Sequence, residues 1–152
     1  MRVSVVLTVY NASWCVEKAL ASVMRQTCLP DEVLVCDDGS TDGTPDLVEA
    51  RFGPPISVLR LPHCNASATR RVGLAQASGD WFAMLDADDQ WVPEKLERQL
   101  DYIARHPDVR HLSSDGVLVS DEGVVRESWL SASFAPVREV VGALLSPLLE
   151  RC

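Results

Sequence analysis

Two clusters of carboxylates carry the most chemistry in this sequence, and each follows a short apolar run. The clusters are Asp37-Asp38, after residues 33–36, and Asp86-Ala87-Asp88-Asp89, after residues 81–85. Runs of four or five apolar residues are typical of strands buried on both faces of a parallel sheet, and ligands of such sheets bind outside the carboxyl ends of the strands. At neighbouring strand ends the two clusters would repel each other. We therefore expect a metal ion or a hydrogen-bonding ligand between them.

The second cluster has the spacing of a cation site. Asp86 and Asp88 alternate along an extended chain, so both carboxylates reach one hard cation such as Mg²⁺ or Mn²⁺, which binds one or two carboxylates together with substrate phosphates. Two alternatives stay open. One is a solvated turn before the next helix. The other is an EF-hand calcium loop, in which positions 1, 3, 5 and 12 would be Asp86, Asp88, Gln90 and Glu97, although Trp91 stands where that loop needs glycine.

The first cluster opens the segment 37–44, which is rich in turn-forming residues. One interpretation is a tight connection in which Asp42 or Thr44 caps the next helix. The other is that a carboxylate here accepts a hydrogen bond from a nucleobase N–H or a ribose hydroxyl, as acidic residues do in dinucleotide-binding folds. Neither GxGxxG nor GxxxxGK occurs, so a phosphate would be held by a metal and by side chains.

Three further groups of residues were considered for binding. The segment 8–11 (Thr-Val-Tyr-Asn) ends the first predicted strand and offers an aromatic ring and an amide to a nucleobase, with ordinary turn chemistry as the alternative. Arg70 and Arg71 come early in a predicted helix, where they either form a solvated face or contact a diphosphate bidentately. No histidine is paired in the sequence with another histidine or a nucleophile, so no chemistry is assigned to His63, His106 and His111.

Composition restricts the class of protein. The 152 residues suffice for one domain, and 14 basic against 22 acidic residues, a net charge of −8, exclude nonspecific binding to nucleic acid. No run approaches the ~20 apolar residues of a transmembrane segment, and no signal peptide is predicted. The five cysteines lack zinc-ligand spacing and are predicted to be reduced thiols. We expect a cytoplasmic location, with peripheral attachment to the membrane left open.

Strands and helices alternate along the first two thirds of the chain. Strands are predicted at 3–8, 32–36, 56–61 and 81–85, and helices at 12–25 (capped by Ser13), 44–52, 68–77 (closed by Gly79) and from Pro93 to Pro107. Strands at 111–119 and 124–127 and a helix at 137–145 follow. This order predicts an α/β fold with a mostly parallel sheet flanked by helices, right-handed crossovers and an antiparallel edge.

Four motifs, taken in order, resemble the inverting glycosyltransferases of family 2. They are TVYN, CDDGSTDGT, NASATRRVGLAQASGD and MLDADDQWVPEKL, and the resemblance covers residues 3 to about 100. It implies a GT-A, Rossmann-like fold, a nucleotide-diphosphate sugar donor, commonly a UDP-sugar, and a divalent cation, Mn²⁺ or Mg²⁺. Residues 1–152 would form a single domain that is incomplete at the C-terminus, with 1–107 as the nucleotide-sugar-binding core.

The resemblance also implies roles for particular residues. Thr8 and Tyr10 would line the nucleotide pocket, Asp38 would contact the base, Arg70 the base or diphosphate, and Asp86 the ribose or sugar. The implied nucleotide-sugar-binding residues are Thr8, Tyr10, Asp37, Asp38, Arg70, Asp86 and Asp88, and the implied metal ligands are Asp88 and Asp89.

The implied reaction is transfer of a sugar to an acceptor hydroxyl with inversion, in cell-wall or polysaccharide biosynthesis. The acceptor class, whether carbohydrate, lipid-linked or protein, is not implied. The family's acidic catalytic base lies well downstream of the second cluster, so it is expected beyond Cys152. The alternative hypothesis is a noncatalytic nucleotide-sugar-binding or interaction module that lacks this base.

Overall fold

The computed structural model describes residues 1–120 and 123–126. The chain forms two compact units, Met1–Arg98 and Gln99–Cys152. The boundary between them falls inside the helix that follows the second acidic cluster. A single domain over 1–152 with a core ending at 107 stays a prediction.

The predicted alternation of strands and helices is confirmed. The elements are β1 (Val3–Val9), α1 (Val16–Met24), β2 (Glu32–Asp37), α2 (Thr44–Arg51), β3 (Ile56–Arg60), α3 (Ala66–Gln76), β4 (Trp81–Asp86), α4 (Lys95–Arg105), β5 (Leu118–Ser120) and β6 (Gly123–Arg126). The strand bounds differ from the predicted ones by at most one residue up to β4. The α/β class therefore follows from local sequence.

The first four strands form one parallel sheet in the order β3-β2-β1-β4. The carboxyl ends of β2 and β4 thus lie on either side of β1, with Thr8 paired to Cys36 on one side and to Asp86 on the other. The expectation that the two acidic clusters end neighbouring strands is wrong, because β1 separates those strands by about 10 Å, two interstrand spacings. The strand order reverses at β1, where sheets of this kind bind ligands.

Helices cover both faces of the sheet around β1 and β2. One face carries the main core, in which α1 packs on valine and leucine side chains of the strands; its fully buried members include Val5, Leu7, Leu20, Val33 and Val35. On the other face α3 approaches closely at Gly73. A Cβ atom there would lie 2.5 Å from the Cys36 sulfur and 2.8 Å from a Val6 methyl carbon. Glycine at this position therefore lets α3 lie against the end of β2.

Strand β4 differs from the prediction. Its apolar run was expected to be buried on both faces, but Phe82 is 46% exposed and Met84 is 38% exposed. Within the described residues β4 is an edge strand, and α3 packs on β1 and β2. The prediction is wrong because an apolar run does not indicate the position of its strand in the sheet.

Helix α1 begins later than predicted. It starts at Val16 behind Cys15, and Ser13 makes no side-chain cap. Residues 12–15 instead form a turn in which the Cys15 N–H bonds to the Ala12 carbonyl at 3.0 Å. The Ser13 N–H donates to Asp42 at 3.0 Å. This long-range contact holds the segment in a loop that sequence periodicity assigned to the helix.

Helix α3 is also shifted relative to the prediction. It begins at Ala66, because the Asn65 side chain accepts a hydrogen bond from the Ala68 N–H at 2.9 Å and caps the first turn. It ends at Gln76, so Gly79 does not close it as predicted. The earlier start brings the first turn of α3 to the end of β1.

The second unit contains the antiparallel pair β5 and β6, which forms a separate two-stranded sheet. The predicted hairpin is thus confirmed, but residues 111–117 are not a strand. Among the described residues of this unit, strand pairing begins at Leu118, which lies opposite Arg126 of β6. A strand needs a partner for its backbone groups, and in the described part of the chain β6 pairs only with residues 118–120. The helix predicted at 137–145 lies outside the described residues.

The absence of a transmembrane segment and the reduced state of the cysteines were predicted for the whole chain, and the structure bears on them only over the described residues. Among residues 1–120 and 123–126, no helix combines the length and apolar character needed to cross a bilayer. Four cysteines in this part of the chain are free thiols: Cys15, Cys28, Cys36 and Cys64. Burial raises the pKa of Cys36 to about 11, so it stays protonated.

Candidate functional site

A cavity of about 390 Å³ opens at the carboxyl edge of the sheet. It lies where β1 and β4 end and where α3 begins, and its lining includes Thr8, Tyr10, Trp14, Arg70, Asp86 and Asp88. Five of these six are residues that the sequence singled out. The exception is Trp14, which is 75% exposed and was not predicted. The fold therefore gathers residues that are up to 80 positions apart in the chain, Thr8 to Asp88, around one space.

A cation and an anion meet in this cavity. The Arg70 guanidinium donates to the Asp86 carboxylate at 2.6 Å, and both side chains are partly exposed. Of the two arginines considered, Arg70 lines the cavity, whereas Arg71 is exposed on α3 and is not part of the lining. Arg70 is thus the arginine of this pair that reaches the cavity, where its guanidinium is held by Asp86 at the end of β4.

The second acidic cluster is open to solvent. Asp86, Asp88 and Asp89 are exposed, and a turn joins the Asp89 N–H to the Asp86 carbonyl at 3.1 Å. Partial burial, followed by the negative charges of Asp88 and Asp86, raises the pKa of Asp89. Among the described residues, Arg70 offsets part of this negative charge through its contact with Asp86.

The donor atoms of this cluster fit a small hard cation. Within the described stretch of chain, no three or more His, Cys, Asp or Glu side chains are arranged around one point. Mg²⁺ or Mn²⁺ would be held at this cluster by one or two carboxylates together with phosphate oxygens, as these ions usually are. The EF-hand alternative is wrong, because Asp86, Asp88 and Glu97 do not converge on one point and Glu97 instead accepts a hydrogen bond from Thr27 at 2.7 Å.

The first acidic cluster is buried and internally hydrogen-bonded. Asp37 is 3% exposed and accepts from the Ser40 N–H at 3.1 Å. Asp38 is 4% exposed, and its Oδ1 accepts from the Thr69 hydroxyl at 2.7 Å and the Cys64 N–H at 2.9 Å. Burial acts to raise the pKa of Asp38, but these donors outweigh it and hold the pKa below its usual value. Neither carboxylate lines the cavity.

His63 completes the surroundings of Asp38. Its Nδ1 lies 3.1 Å from Asp38 Oδ2 and 3.0 Å from the Asp38 carbonyl oxygen, so this nitrogen carries the proton. The ring stacks on Tyr10, with centroids 4.4 Å apart and planes at 23°. Sequence reasoning assigned no chemistry to His63. No local signal reveals its role, because both partners lie far away along the chain.

Asn11 connects the loops at the ends of β1 and β2. Its backbone N–H donates to the Ser40 hydroxyl at 2.9 Å, and its side-chain oxygen accepts from the Thr41 N–H at 2.8 Å. It has a φ of +49°, in the left-handed region that asparagine tolerates better than most residues. Asn11 lines the cavity, and its side-chain oxygen bonds within the protein, so a contact of its amide with a nucleobase stays a prediction.

Asp42 joins the same two loops. Its carboxylate accepts from the Ser13 N–H at 3.0 Å and from the Thr44 N–H at 3.0 Å, which forms a turn before α2. The prediction that Asp42 or Thr44 caps α2 is wrong, because Gly43 holds the N-cap position and no side chain caps the helix there. Burial acts to raise the pKa of Asp42, but the Thr44 hydroxyl and these N–H groups hold it well below its usual value. The turn interpretation thus holds for the end of segment 37–44.

Comparison with known proteins gives similarities of sequence and fold. The profile of the family described as Glycosyl transferase family 2 matches residues 4–129. A UDP-Glc:alpha-D-GlcNAc-diphosphoundecaprenol beta-1,3-glucosyltransferase of Escherichia coli, WfgD, is 35% identical over 105 residues, which are 68% of this chain and 42% of the relative.

Two solved structures resemble the fold. The crystal structure of Staphylococcus aureus TarS 1–349 in complex with UDP matches with a TM-score of 0.64 and 30% identity over 79% of this chain and 39% of that one. The same fragment is also known in complex with UDP-GlcNAc. A mannosyltransferase from Pyrobaculum calidifontis in complex with GDP-Man and Mn²⁺ matches with a TM-score of 0.64 and 28% identity, over 71% and 33% of the two chains.

These similarities support the predicted fold class, a GT-A-type α/β sheet. They do not extend over whole proteins, because the chain spans less than half the length of the curated relatives it matches first.

Proposed function

Because this chain belongs to glycosyl transferase family 2, we propose that it forms the donor-binding part of an enzyme that transfers a sugar from a nucleotide-diphosphate sugar to an acceptor hydroxyl. The observation that carries this proposal is the cavity at the carboxyl edge of the sheet. It offers an aromatic ring, an arginine and exposed carboxylates within one space. These groups match the three parts of the donor, which are a base, a diphosphate and a sugar.

The nucleoside end of the donor is assigned to β1 and the first acidic cluster. Tyr10 is 49% exposed and offers its ring for stacking, while Thr8 lies beside it on the cavity wall. Asp38 offers a carboxylate oxygen to a base N–H, as acidic side chains do at this edge of related sheets. The TarS structures with UDP and UDP-GlcNAc support a uridine nucleotide as the donor.

The diphosphate end is assigned to Arg70 and the second acidic cluster. Arg70 presents a planar donor that suits phosphate oxygens, although it must first exchange its contact with Asp86. Asp88 and Asp89 would hold a divalent cation, which when bound supplies positive charge next to the leaving diphosphate. The Mn²⁺ in the Pyrobaculum mannosyltransferase supports this assignment. Asp86, released from Arg70, would accept hydrogen bonds from ribose or sugar hydroxyls.

In the proposed reaction the acceptor oxygen attacks the anomeric carbon as the bond from that carbon to the diphosphate breaks. Attack from the opposite face inverts the anomeric configuration. An acidic general base takes the hydroxyl proton, and we assign it to no residue of the described chain. WfgD, a sugar transferase that acts on a lipid-linked acceptor by its name, supports a role in polysaccharide assembly. The four free cysteines support a cytoplasmic location as part of this proposal.

Calorimetry with UDP-glucose tests donor binding. We expect binding in Mn²⁺ that is lost on chelation and is at least about 30-fold weaker in Asp88→Asn, since a charged contact contributes about 2 kcal/mol. Asp101→Asn is the control, because it removes an exposed acid that is not in the cavity lining. Equal affinity of the wild type and Asp88→Asn would refute the metal role.

A turnover assay separates the enzyme from a noncatalytic module. Release of UDP that requires both acceptor and metal supports glycosyl transfer. Donor binding without release under any tested acceptor supports the module.

A further inference from the structure

His63 already makes the two contacts that the proposed function assigns to the nucleobase. Its imidazole stacks on Tyr10 with a centroid distance of 4.4 Å and an interplanar angle of 23°. Its Nδ1 lies 3.1 Å from Asp38 Oδ2 and hydrogen-bonds to the Asp38 carbonyl oxygen at 3.0 Å. A planar aromatic ring that stacks on Tyr10 and donates an N–H to Asp38 is also a description of a bound base.

A base and His63 compete for the same carboxylate oxygen. Oδ1 of Asp38 is occupied by the Thr69 hydroxyl at 2.7 Å and the Cys64 N–H at 2.9 Å, both from the protein itself. The other oxygen, Oδ2, has the His63 Nδ1 atom 3.1 Å away, and the same nitrogen is hydrogen-bonded to the Asp38 carbonyl oxygen. Because the Asp38 side chain is only 5% exposed, a base N–H has to reach Oδ2 by the path that the imidazole occupies.

We propose that His63 occupies the nucleobase subsite of the ligand-free protein and leaves it when the donor binds. This inference rests on the proposed function, because it takes the base to bind at Tyr10 and Asp38. The His63 side chain is 56% exposed, so it can turn into solvent without crossing the core. His63 therefore weakens donor binding, since only the fraction of molecules with the ring displaced is competent to bind.

The competition also implies a preference among bases. To replace His63 fully, a base must stack on Tyr10 and donate an N–H to Asp38 Oδ2. The N3–H of uracil is such a donor beside two carbonyl groups, whereas N3 of cytosine is an acceptor and would face the carboxylate unfavourably. A ligand that makes only one of the two contacts recovers only part of what His63 loses, so it should bind more weakly than a ligand that makes both.

Calorimetry with UDP in Mn²⁺ tests the competition. We expect His63→Ala to bind UDP about 10-fold more tightly than the wild type, because a hydrogen bond and an aromatic stack no longer oppose binding. His106→Ala is a matched control: His106 stacks on Tyr102 at 4.0 Å and 19°, and neither residue is part of the cavity lining. That variant should bind UDP like the wild type. Equal or weaker binding by His63→Ala would overturn the proposal.

A second variant protects the test from a folding defect. If His63→Ala does not fold, His63→Gln keeps a donor for Asp38 but loses the stack, and it should bind UDP about 3-fold more tightly than the wild type, given the usual contribution of one stack. No gain in affinity in this folded variant would likewise count against the competition.

NMR distinguishes failure of this inference from failure of the proposed function. In the ligand-free protein the ring current of Tyr10 should shift the NMR signals of the His63 ring protons upfield. Saturation with UDP should remove this shift. Bound UDP with the shift intact would leave donor binding standing and overturn the displacement of His63. Absence of UDP binding in both the wild type and His63→Ala would refute both.

Discussion

Asp38 and Asp86 stand at corresponding places, each at the end of a strand that pairs with β1, yet their surroundings are opposite. The Asp38 side chain is 5% exposed and is held by three groups of the protein, whereas the Asp86 side chain is 59% exposed and lines the cavity. A carboxylate at a strand end is therefore not in itself a free binding group. Whether such a carboxylate can bind a ligand depends on how many hydrogen-bond donors of the protein already surround it.

The position of α3 explains the difference. Gly73 lets this helix lie against β1 and β2, which brings Thr69 and the preceding loop with Cys64 onto the end of β2. Strand β4 lies outside that contact at the edge of the described sheet. Within the described part of the chain, its carboxylates are paired with one cation, Arg70, and they are exposed to solvent. The first cluster thus organises the loops and leaves Oδ2 of Asp38 as its proposed ligand contact, whereas the second cluster is open to solvent.

The largest expected effect comes from removing the buried carboxylate. Asp38→Ala should lower the free energy of unfolding by about 3 kcal/mol, because the Thr69 hydroxyl and the Cys64 N–H lose their acceptor. Urea denaturation measures the change, with Asp86→Ala as the matched control at the exposed cluster. Similar losses in the two variants would abolish the distinction between the clusters.

A smaller loss is expected when one donor to Asp38 is removed. Thr69→Val keeps the shape of the side chain but not the 2.7 Å hydrogen bond, and it should lower the free energy of unfolding by about 1 to 2 kcal/mol. Thr41→Val is the control, because Thr41 is exposed and its hydroxyl makes only a long 3.4 Å contact. A thermal or urea midpoint for Thr69→Val that matches this control would contradict the assigned role of Asp38.

The ion pair at the second cluster should contribute little to stability. A double-mutant cycle of Arg70→Gln and Asp86→Asn is expected to give a coupling of less than about 1 kcal/mol, as is usual for exposed pairs. Donor affinity should fall in both single variants, since each removes a proposed ligand contact. A coupling as large as the loss in Asp38→Ala would mean that this pair, too, is structural.

The smallest effects are expected from pH, and they have opposite signs in the two clusters. The pKa of Asp38 is lowered in the folded protein, so its contribution to stability is present above the unfolded pKa of about 3.9 and is lost as the pH falls through the folded value. The pKa of Asp89 is raised, so protonation on acidification relieves an unfavourable charge and adds slightly to stability.

Carboxyl-carbon NMR titration measures both groups directly. Asp89 should take up its proton at a higher pH than Asp38. Because Mn²⁺ is paramagnetic, diamagnetic Mg²⁺ is added in this experiment. Saturating Mg²⁺ should lower the pH at which Asp89 is half protonated. A reversed order of the two midpoints would contradict the contrast between the clusters.

Much of the fold could be predicted from local patterns. The apolar runs located β1 to β4 to within a residue, and the positions of Thr8, Tyr10, Arg70, Asp86 and Asp88 at element ends anticipated most of the cavity lining. The exposure of Phe82 and Met84 and the late start of α1 could not be predicted in this way. Both depend on strand order and on contacts between loops, which a local pattern does not contain.

By itself the sequence determined that carboxylates follow two apolar runs in an alternating α/β chain, because periodicity and turn residues act over a few positions. Only the tertiary structure decided which carboxylates are free. The partners of Asp38 are 25, 26 and 31 positions away, and they meet it only after α3 has docked on the sheet. Hydrogen bonding and burial across such separations tied the first acidic cluster into the scaffold, with Oδ2 of Asp38 as its one atom proposed to meet a ligand, and left the second cluster open to solvent.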